Sequence, residues 1–267
     1  MTANRGLLRI VAVVAVGLLL AVAVPSAVSA GPAIRAEDAN TALSTAISNL
    51  EGQGYNIDAT VGSNASGGGG AIAATGSVDP NSNAAKAEFK GNAGGEPVDI
   101  QFVQTPDSLY AKIDIKAIQS QLGFGPNVWI KLDESKITDK SNLPFDLSGK
   151  TDAINIEGLM TSVSGVSYPD PSDQSQITGT VDLTAASGVG APDKSDLQKA
   201  GAAAKTTPFA ATVDDQGRLT ALKVDADKFD GSLTQDLKFT DFGSQDTVSV
   251  PTQSTPAPDA AYQFFNN

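Results

Sequence analysis

The chain has 267 residues, with 18 Lys plus Arg against 30 Asp plus Glu, a formal net charge of −12, 26 Gly, 14 Pro, and neither His nor Cys. Without those two residue types it cannot form a thiol nucleophile, a Ser-His-Asp triad, a Cys/His zinc site or a disulfide. The acidic balance also argues against nucleic acid and anionic lipid surfaces, which are bound through Lys and Arg.

Residues 1–30 read as a signal peptide. Arg5 and Arg9 precede an uncharged apolar run from Ile10 to Val24, Pro25 breaks it, and Val28-Ser29-Ala30 places small residues ahead of a cut before Gly31. The run is 15 residues, or roughly 22 Å of helix, short of a bilayer core of roughly 30 Å. Expectation therefore places the mature chain outside the inner membrane, periplasmic, wall-associated or secreted.

The first element after the leader is a helix over 36–51, because Ala39, Ala42, Leu43, Ala46, Ile47 and Leu50 recur with helical spacing and Gly52 ends it. The period then changes to two. Tyr55, Ile57, Ala59 and Val61 alternate with polar residues as on a half-buried strand, and Gly67–Gly70 reads as a hairpin loop. Further strands are predicted at 72–78, around Ala85, Ala87 and Phe89, around Val98, Ile100 and Phe102, and around Leu109, Ala111 and Ile113, the last two joined by a turn at Thr105-Pro106-Asp107. A short helix fits 114–122, with Ile115, Ile118 and Leu122 on one side. Val128, Ile130 and Leu132 form a strand carrying the only Trp, Trp129, on its opposite face.

Residues 133–153 are polar and irregular, and helices are expected over 154–163 and from Pro192-Asp193 to Ala204. Between them Ile177, Gly179, Val181 and Leu183 alternate as a strand. The last third is a meander: Phe209, Ala211 and Val213, a turn at 214–217, then Thr220, Leu222 and Val224, then Leu233, Leu237 and Phe239, and a short strand with Val248 and Val250. The sum is about ten strands in sequential hairpins with few helices. Beyond Pro251 the Pro-rich tail is expected to be extended and mobile.

Catalytic signatures that need no His are also missing. No Ser stands three residues before a Lys, no Ser is flanked by Gly at minus two and plus two, and the Gly67–Gly70 run lacks a following Lys-Ser or Lys-Thr. Asp225, Asp227 and Asp230-Gly231 have the wrong spacing for a calcium loop, and Asp170 and Asp173 read as turn acids. A glycosidase pair of carboxylates stays open on sequence alone, although aromatics are only 6% of the chain, few for sugar platforms. The apolar strand faces have two readings, an ordinary packed core or the wall of a cavity for an acyl chain.

Several segments resemble one family. Leu109-Tyr110-Ala111-Lys112, Val128-Trp129-Ile130-Lys131, the hairpin Pro208 to Leu219 with its Val213-Asp214-Asp215-Gln216-Gly217-Arg218-Leu219 turn, and Leu237-Lys238-Phe239-Thr240-Asp241-Phe242-Gly243 before Val248-Ser249-Val250-Pro251 are similar to the mycobacterial LppX/LprAFG lipoprotein family. The resemblance implies an α+β fold, a curved antiparallel β half-barrel with helices covering the concave face, spanning 31–250 as one lipid-binding domain before a flexible tail at 251–267. It also implies a non-enzymatic carrier of lipids or lipoglycans across an actinobacterial envelope, loaded by an inner-membrane exporter, with no cofactor and no metal. The family's lipobox Cys is absent, so no acyl tether can form. Strand alternation nominates the cavity wall as Ile57, Val98, Ile100, Phe102, Ile118, Leu122, Val128, Ile130, Val181, Leu183, Leu237 and Phe239. The competing expectation is a structural or adhesive wall protein with a filled core and no ligand. Cleavage as read leaves an intact mass that begins at Gly31 with no added acyl group; a membrane-bound product retaining Arg5 would show the leader to be an anchor.

Overall fold

The computed structural model describes residues 38–63, 71–93, 95–116, 119–138, 162–185, 194–226 and 233–266. Four helices, α1 (Ala39–Glu51), α2 (Gln119–Leu122), α3 (Lys194–Ala200) and α4 (Asp259–Phe265), accompany twelve strands. These are β1 (Tyr55–Ser63), β2 (Ala71–Asp79), β3 (Ala84–Ala93), β4 (Glu96–Thr105), β5 (Ser108–Asp114), β6 (Trp129–Leu132), β7 (Val163–Ser167), β8 (Gln176–Val181), β9 (Thr207–Val213), β10 (Leu219–Ala226), β11 (Leu233–Thr240) and β12 (Thr255–Pro256). The chain is thus a mostly-β α+β fold.

All twelve strands join one open, curled sheet in the order β12-β6-β5-β4-β3-β2-β1-β11-β10-β9-β8-β7. The chain lays down β1 to β6 outward as neighbouring antiparallel strands, restarts at the far edge with β7, and returns until β11 pairs with β1 from Asn56↔Thr240 to Ser63↔Leu233. Two-residue loops of the Thr105-Pro106-Asp107-Ser108 kind set the register, since Thr105 and Ser108 still pair. Only β12 runs parallel, beside β6.

Helix α1 begins where its cap permits. The Asp38 carboxylate accepts the Asn40 backbone N–H at 3.3 Å, satisfying a donor that the first turn leaves free. Ala39, Leu43, Ala46, Ile47 and Leu50 are buried on one side, and the helix packs against β7, β9 and β10. On its polar side Asn49 donates to the Gly217 carbonyl at 2.7 Å, tying the helix to the β9–β10 turn.

Several expectations need correction. The helix predicted over 154–163 falls mostly on 154–161, outside the described residues, and Val163 opens strand β7 instead. In the 114–122 stretch β5 continues to Asp114 and the helix is confined to Gln119–Leu122, while Ile118 lies outside the described residues. Leu183 sits in a 3-10 turn, Leu183–Ala185, after β8 ends at Val181. The helix ending at Ala204 tightens to a 3-10 turn at Gly201–Lys205, because Gly201 takes a left-handed φ of 56°. Val248 and Val250 are not on a strand and Val250 is 52% exposed. Their segment is instead held by side chains on the polar face: Ser77 Oγ donates to the Asp246 carbonyl and to Asn56, Asn56 accepts the Asp246 N–H at 3.0 Å, and Lys86 pairs with Asp246 at 3.0 Å.

Part of the tail is also folded rather than extended. Thr255 and Pro256 pair with Ile130 and Lys131, and α4 buries Ala261, Tyr262 and Phe265. Those three apolar residues find a seat that the prolines alone did not foretell. The Gly67–Gly70 loop and the leader lie outside the described residues.

The β9–β10 turn shows how local chemistry fixes a hairpin. Gly217 takes φ 72°, and Asp214 donates its N–H to the Arg218 carbonyl at 3.0 Å. The Asp214 carboxylate accepts the backbone N–H groups of Gln216 and Arg218 and the Arg218 guanidinium at 2.6–2.8 Å, and that guanidinium stacks 4.5 Å over Phe242. Partial burial pushes the Asp214 carboxyl up, but the Arg218 side chain, the backbone donors and the Arg218 charge outweigh it and hold the group below the usual carboxylate range. A depressed native pKa contributes stability above the unfolded value of about 3.9 and loses it as pH falls through the native value. Asp214→Asn is therefore expected to cost about 1–3 kcal/mol at pH 7, with the difference from wild type narrowing below about pH 4; urea unfolding midpoints at pH 7 and pH 3 measure both.

Candidate functional site

Because neighbouring strands are in register, side chains on the buried face form rows that cross the sheet. One row runs Ile177, Ala211, Leu222, Leu237, Ala59, Ala74, Phe89, Ile100, Ile113, one residue from each of nine adjacent strands. A parallel row runs Phe239, Ile57, Gly76, Ala87, Phe102, Ala111, Ile130. Every side chain in both rows belongs to one buried apolar cluster, Gly76 aside.

The rows are not uniform in size. Ala59, Ala74, Gly76, Ala87 and Ala111 are small, but Phe89 and Phe102 are interleaved with them, while Leu222, Leu237 and Phe239 stand to one side and Ile100, Ile113 and Ile130 to the other. Nine strands at about 4.8 Å spacing would extend roughly 38 Å if flat, and α1, with 13 residues, is only roughly 20 Å long. The two flanks meet different helices, α1 at β7, β9 and β10 and α4 at Phe102.

Apart from Ile118, which lies outside the described residues, the residues nominated from sequence lie in or against the same buried apolar cluster. Ile57, Val98, Ile100, Phe102, Ile130, Val181, Leu237 and Phe239 lie on strands, Leu122 on α2 and Leu183 on its 3-10 turn, all buried, and Val128 is half-buried against them. The buried ones meet neighbouring side chains rather than open space: Ile100, Phe102, Ile130 and Val181 are each 0% exposed. Edge-to-face rings tie the cluster together, Tyr55 on Phe239 at 5.7 Å, Phe89 on Phe102 at 6.2 Å and Phe102 on Phe265 at 6.1 Å.

Sequence reasoning left out Phe89, Ile113, Ile177, Ala211 and Leu222, although the same alternation exposes them. It also left out Ala261, Tyr262 and Phe265, whose signal, an apolar cluster after Pro258, is weak. One polar group is enclosed with them. Gln104, on the same face of β4 two residues beyond Phe102, is 3% exposed; its Nε2 reaches Glu134 at 3.5 Å and its Oε1 has no hydrogen-bond partner among the described residues.

The opposite face is polar. Lys238, Asp58, Thr75, Glu88, Gln101, Lys112 and Trp129 form an outward row, with Lys112 Nζ 5.7 Å from the Trp129 ring centre. A shallow groove of about 410 Å³ on this face is bordered by Asp58, Thr75, Lys86, Glu88, Gln101 and Trp129. Glu88 is paired with Lys90 at 2.7 Å and accepts from Gln101 at 2.7 Å. Among the described residues no three His, Asp or Glu side chains are grouped as metal ligands. The turn acids behave as such: the Ser172 hydroxyl and N–H both donate to Asp170, holding its carboxyl below the usual range, and the Ser175 hydroxyl and N–H both donate to Asp173.

No helix among the described residues is long and apolar enough to cross a membrane. No protein-family model matches the chain, and no curated protein does. Among solved structures it is similar to an uncharacterized conserved protein from Thermus thermophilus, at 10% identity and a TM-score of 0.37, over 81% of this chain and 96% of that one. So distant a likeness has no bearing on activity.

Proposed function

We propose that this protein is a non-enzymatic carrier of lipids or glycolipids in an actinobacterial envelope, of the LppX/LprAFG kind, with its apolar sheet face as the concave binding wall and the helices as its cover. The observation that carries this reading is the pair of apolar rows, the longer crossing nine strands of an open sheet, in which Ala59, Ala74, Gly76, Ala87 and Ala111 are interleaved with Phe89 and Phe102. A domain that needed only a core could bury a much narrower sheet under the same helices. A sheet this wide and curled supports the reading that a long chain lies along it.

The chemistry is physical. Each acyl CH₂ transferred from water contributes about 0.8 kcal/mol, so a chain of about sixteen carbons gains roughly 12 kcal/mol, within the range of roughly 4–15 kcal/mol that association costs in lost freedom. No charged anchor is required. Movement of the covering helices would admit and release the ligand. With no Cys to acylate, the carrier has no acyl tether, and an inner-membrane exporter is the loading partner that the resemblance implies.

The second reading, a structural or adhesive wall protein with a filled core, draws on a specific observation too: Ile100, Ile113 and Ile130 have no exposed surface at all. Full enclosure also means that Ile100→Trp overfills the face under either reading, at a cost of about 1–3 kcal/mol, so stability does not separate them. Bound lipid does. Protein purified without detergent from an actinobacterial host is expected to yield about one acyl lipid per chain on organic extraction and mass spectrometry, and Ile100→Trp to yield markedly less. Lipid-free wild type that also fails to take up acyl probes would establish the filled core. Ester, glycoside and phosphate substrates are expected to survive incubation; hydrolysis abolished by one Asp or Glu substitution would make the protein an enzyme.

A further inference from the structure

The strongest independent feature of the apolar face is what already occupies one end of it. Helix α4 has seven residues and no side-chain cap at Pro258, too short to persist alone in water. It is helical because Ala261, Tyr262 and Phe265 are seated, at 0%, 7% and 1% exposure. The Phe265 ring stands on Phe102, whose row continues through Ala111 to Ile130. The sides of the seat are α2 with Gly123, where a Cβ would come within 3.4 Å of Pro258, and the 3-10 turn Glu134–Lys136.

What fastens the segment is peripheral. Thr255 and Pro256 supply a two-residue pairing to β6, Ala257 donates to Lys131 at 2.9 Å, and Asn266 bonds Thr138 and Lys136 at 2.8 and 2.9 Å. Lys136 meets Asp259 at 3.3 Å with both side chains at least half exposed, a pair that water screens. The Tyr262 hydroxyl accepts the Asp133 N–H at 2.9 Å. A two-residue pairing and exposed bonds at the ends are the properties of a segment that opens locally while the sheet stays folded, and the three seated side chains are the hold that an entering chain must replace.

We propose that the seat of α4 is an acyl-chain subsite and that α4 is its resident intramolecular occupant, displaced when a chain enters along the β6 edge. This rests on the carrier reading and adds the place of entry. The ligand class is an alkyl chain with a neutral hydroxyl near its head. Gln104 sits in register with Leu109 and Leu132, beside the turn that α4 packs on, and its enclosed Oε1 can accept a hydrogen bond from such a hydroxyl.

The absence of Cys makes the test clean. Lys136→Cys and Asp259→Cys in one chain, joined by a short bis-maleimide with a cleavable disulfide spacer, pin the helix; the probe is a fluorescent sixteen-carbon monoacylglycerol. Pinning is expected to slow probe uptake at least tenfold and reduction of the spacer to restore it, while Phe265→Ala, which loosens the seat without pinning, speeds uptake severalfold. Gln104→Leu is expected to abolish preference for the monoacylglycerol over its methyl ether. Equal uptake by pinned and released protein, or no recovery on release, overturns the subsite while wild-type binding leaves the carrier intact. Failure of the wild type itself to bind removes the carrier reading and the subsite with it.

Discussion

Shared facing is the constraint on which the rest of the molecule depends. Side chains alternate along a strand, so a slip of one residue in any pairing would turn a whole strand's apolar set to water. The row from Ile177 to Ile113 survives eight successive pairings without such a slip. Where the spacing in sequence is wrong, the backbone corrects it. Leu219 and Leu222 are three apart and both buried, which a regular strand forbids, and the register shift between Leu219 and Ala221 supplies the extra residue that returns both to the apolar side.

The opposite face shows why an acidic chain tolerates so wide a sheet. Its outward rows interleave charge: Lys238 pairs across from Asp58, and Glu88 lies between Lys90 and Gln101. The irregular segment after β11 lies over this face because Asn56, Ser77 and Lys86 offer it donors and acceptors, and those bonds replace the ladder that Val248 and Val250 would have needed. Near the start of the same segment Phe242 lies beneath Arg218, which joins it to the Asp214 turn and, through Gly217, to α1.

Two helices at opposite ends of the described chain pack against different parts of the sheet. Helix α1 packs at the β7, β9 and β10 side, and α4 reaches Phe102 from the β6 side. These helices differ in how they are held. The first has thirteen residues, a carboxylate cap and a side-chain bond to the distant turn; the second has seven residues and no such cap. The difference in anchoring makes the C-terminal side the weaker edge of the cover.

Alternation in the sequence determined which residues turn inward on β1 to β5 and β9 to β11, because period two is a property of the strand itself and needs no partner. Helical spacing determined α1 in the same way, with Asp38 as the cap ahead of its first turn rather than within it, and the buried residues of the proposed binding face were legible to that extent. Strand order was not, since pairing β11 with β1 joins residues far apart in sequence by backbone bonds that carry no side-chain signature. Short elements were lost for a related reason: Val163–Ser167 and Thr255–Pro256 are strands only because an edge was available to pair with. Tertiary structure alone decided that Leu183 is buried from a turn, that Gln104 is enclosed, and that Phe265 leaves a Pro-rich tail to stand on Phe102, because each depends on a surface assembled from distant parts of the chain.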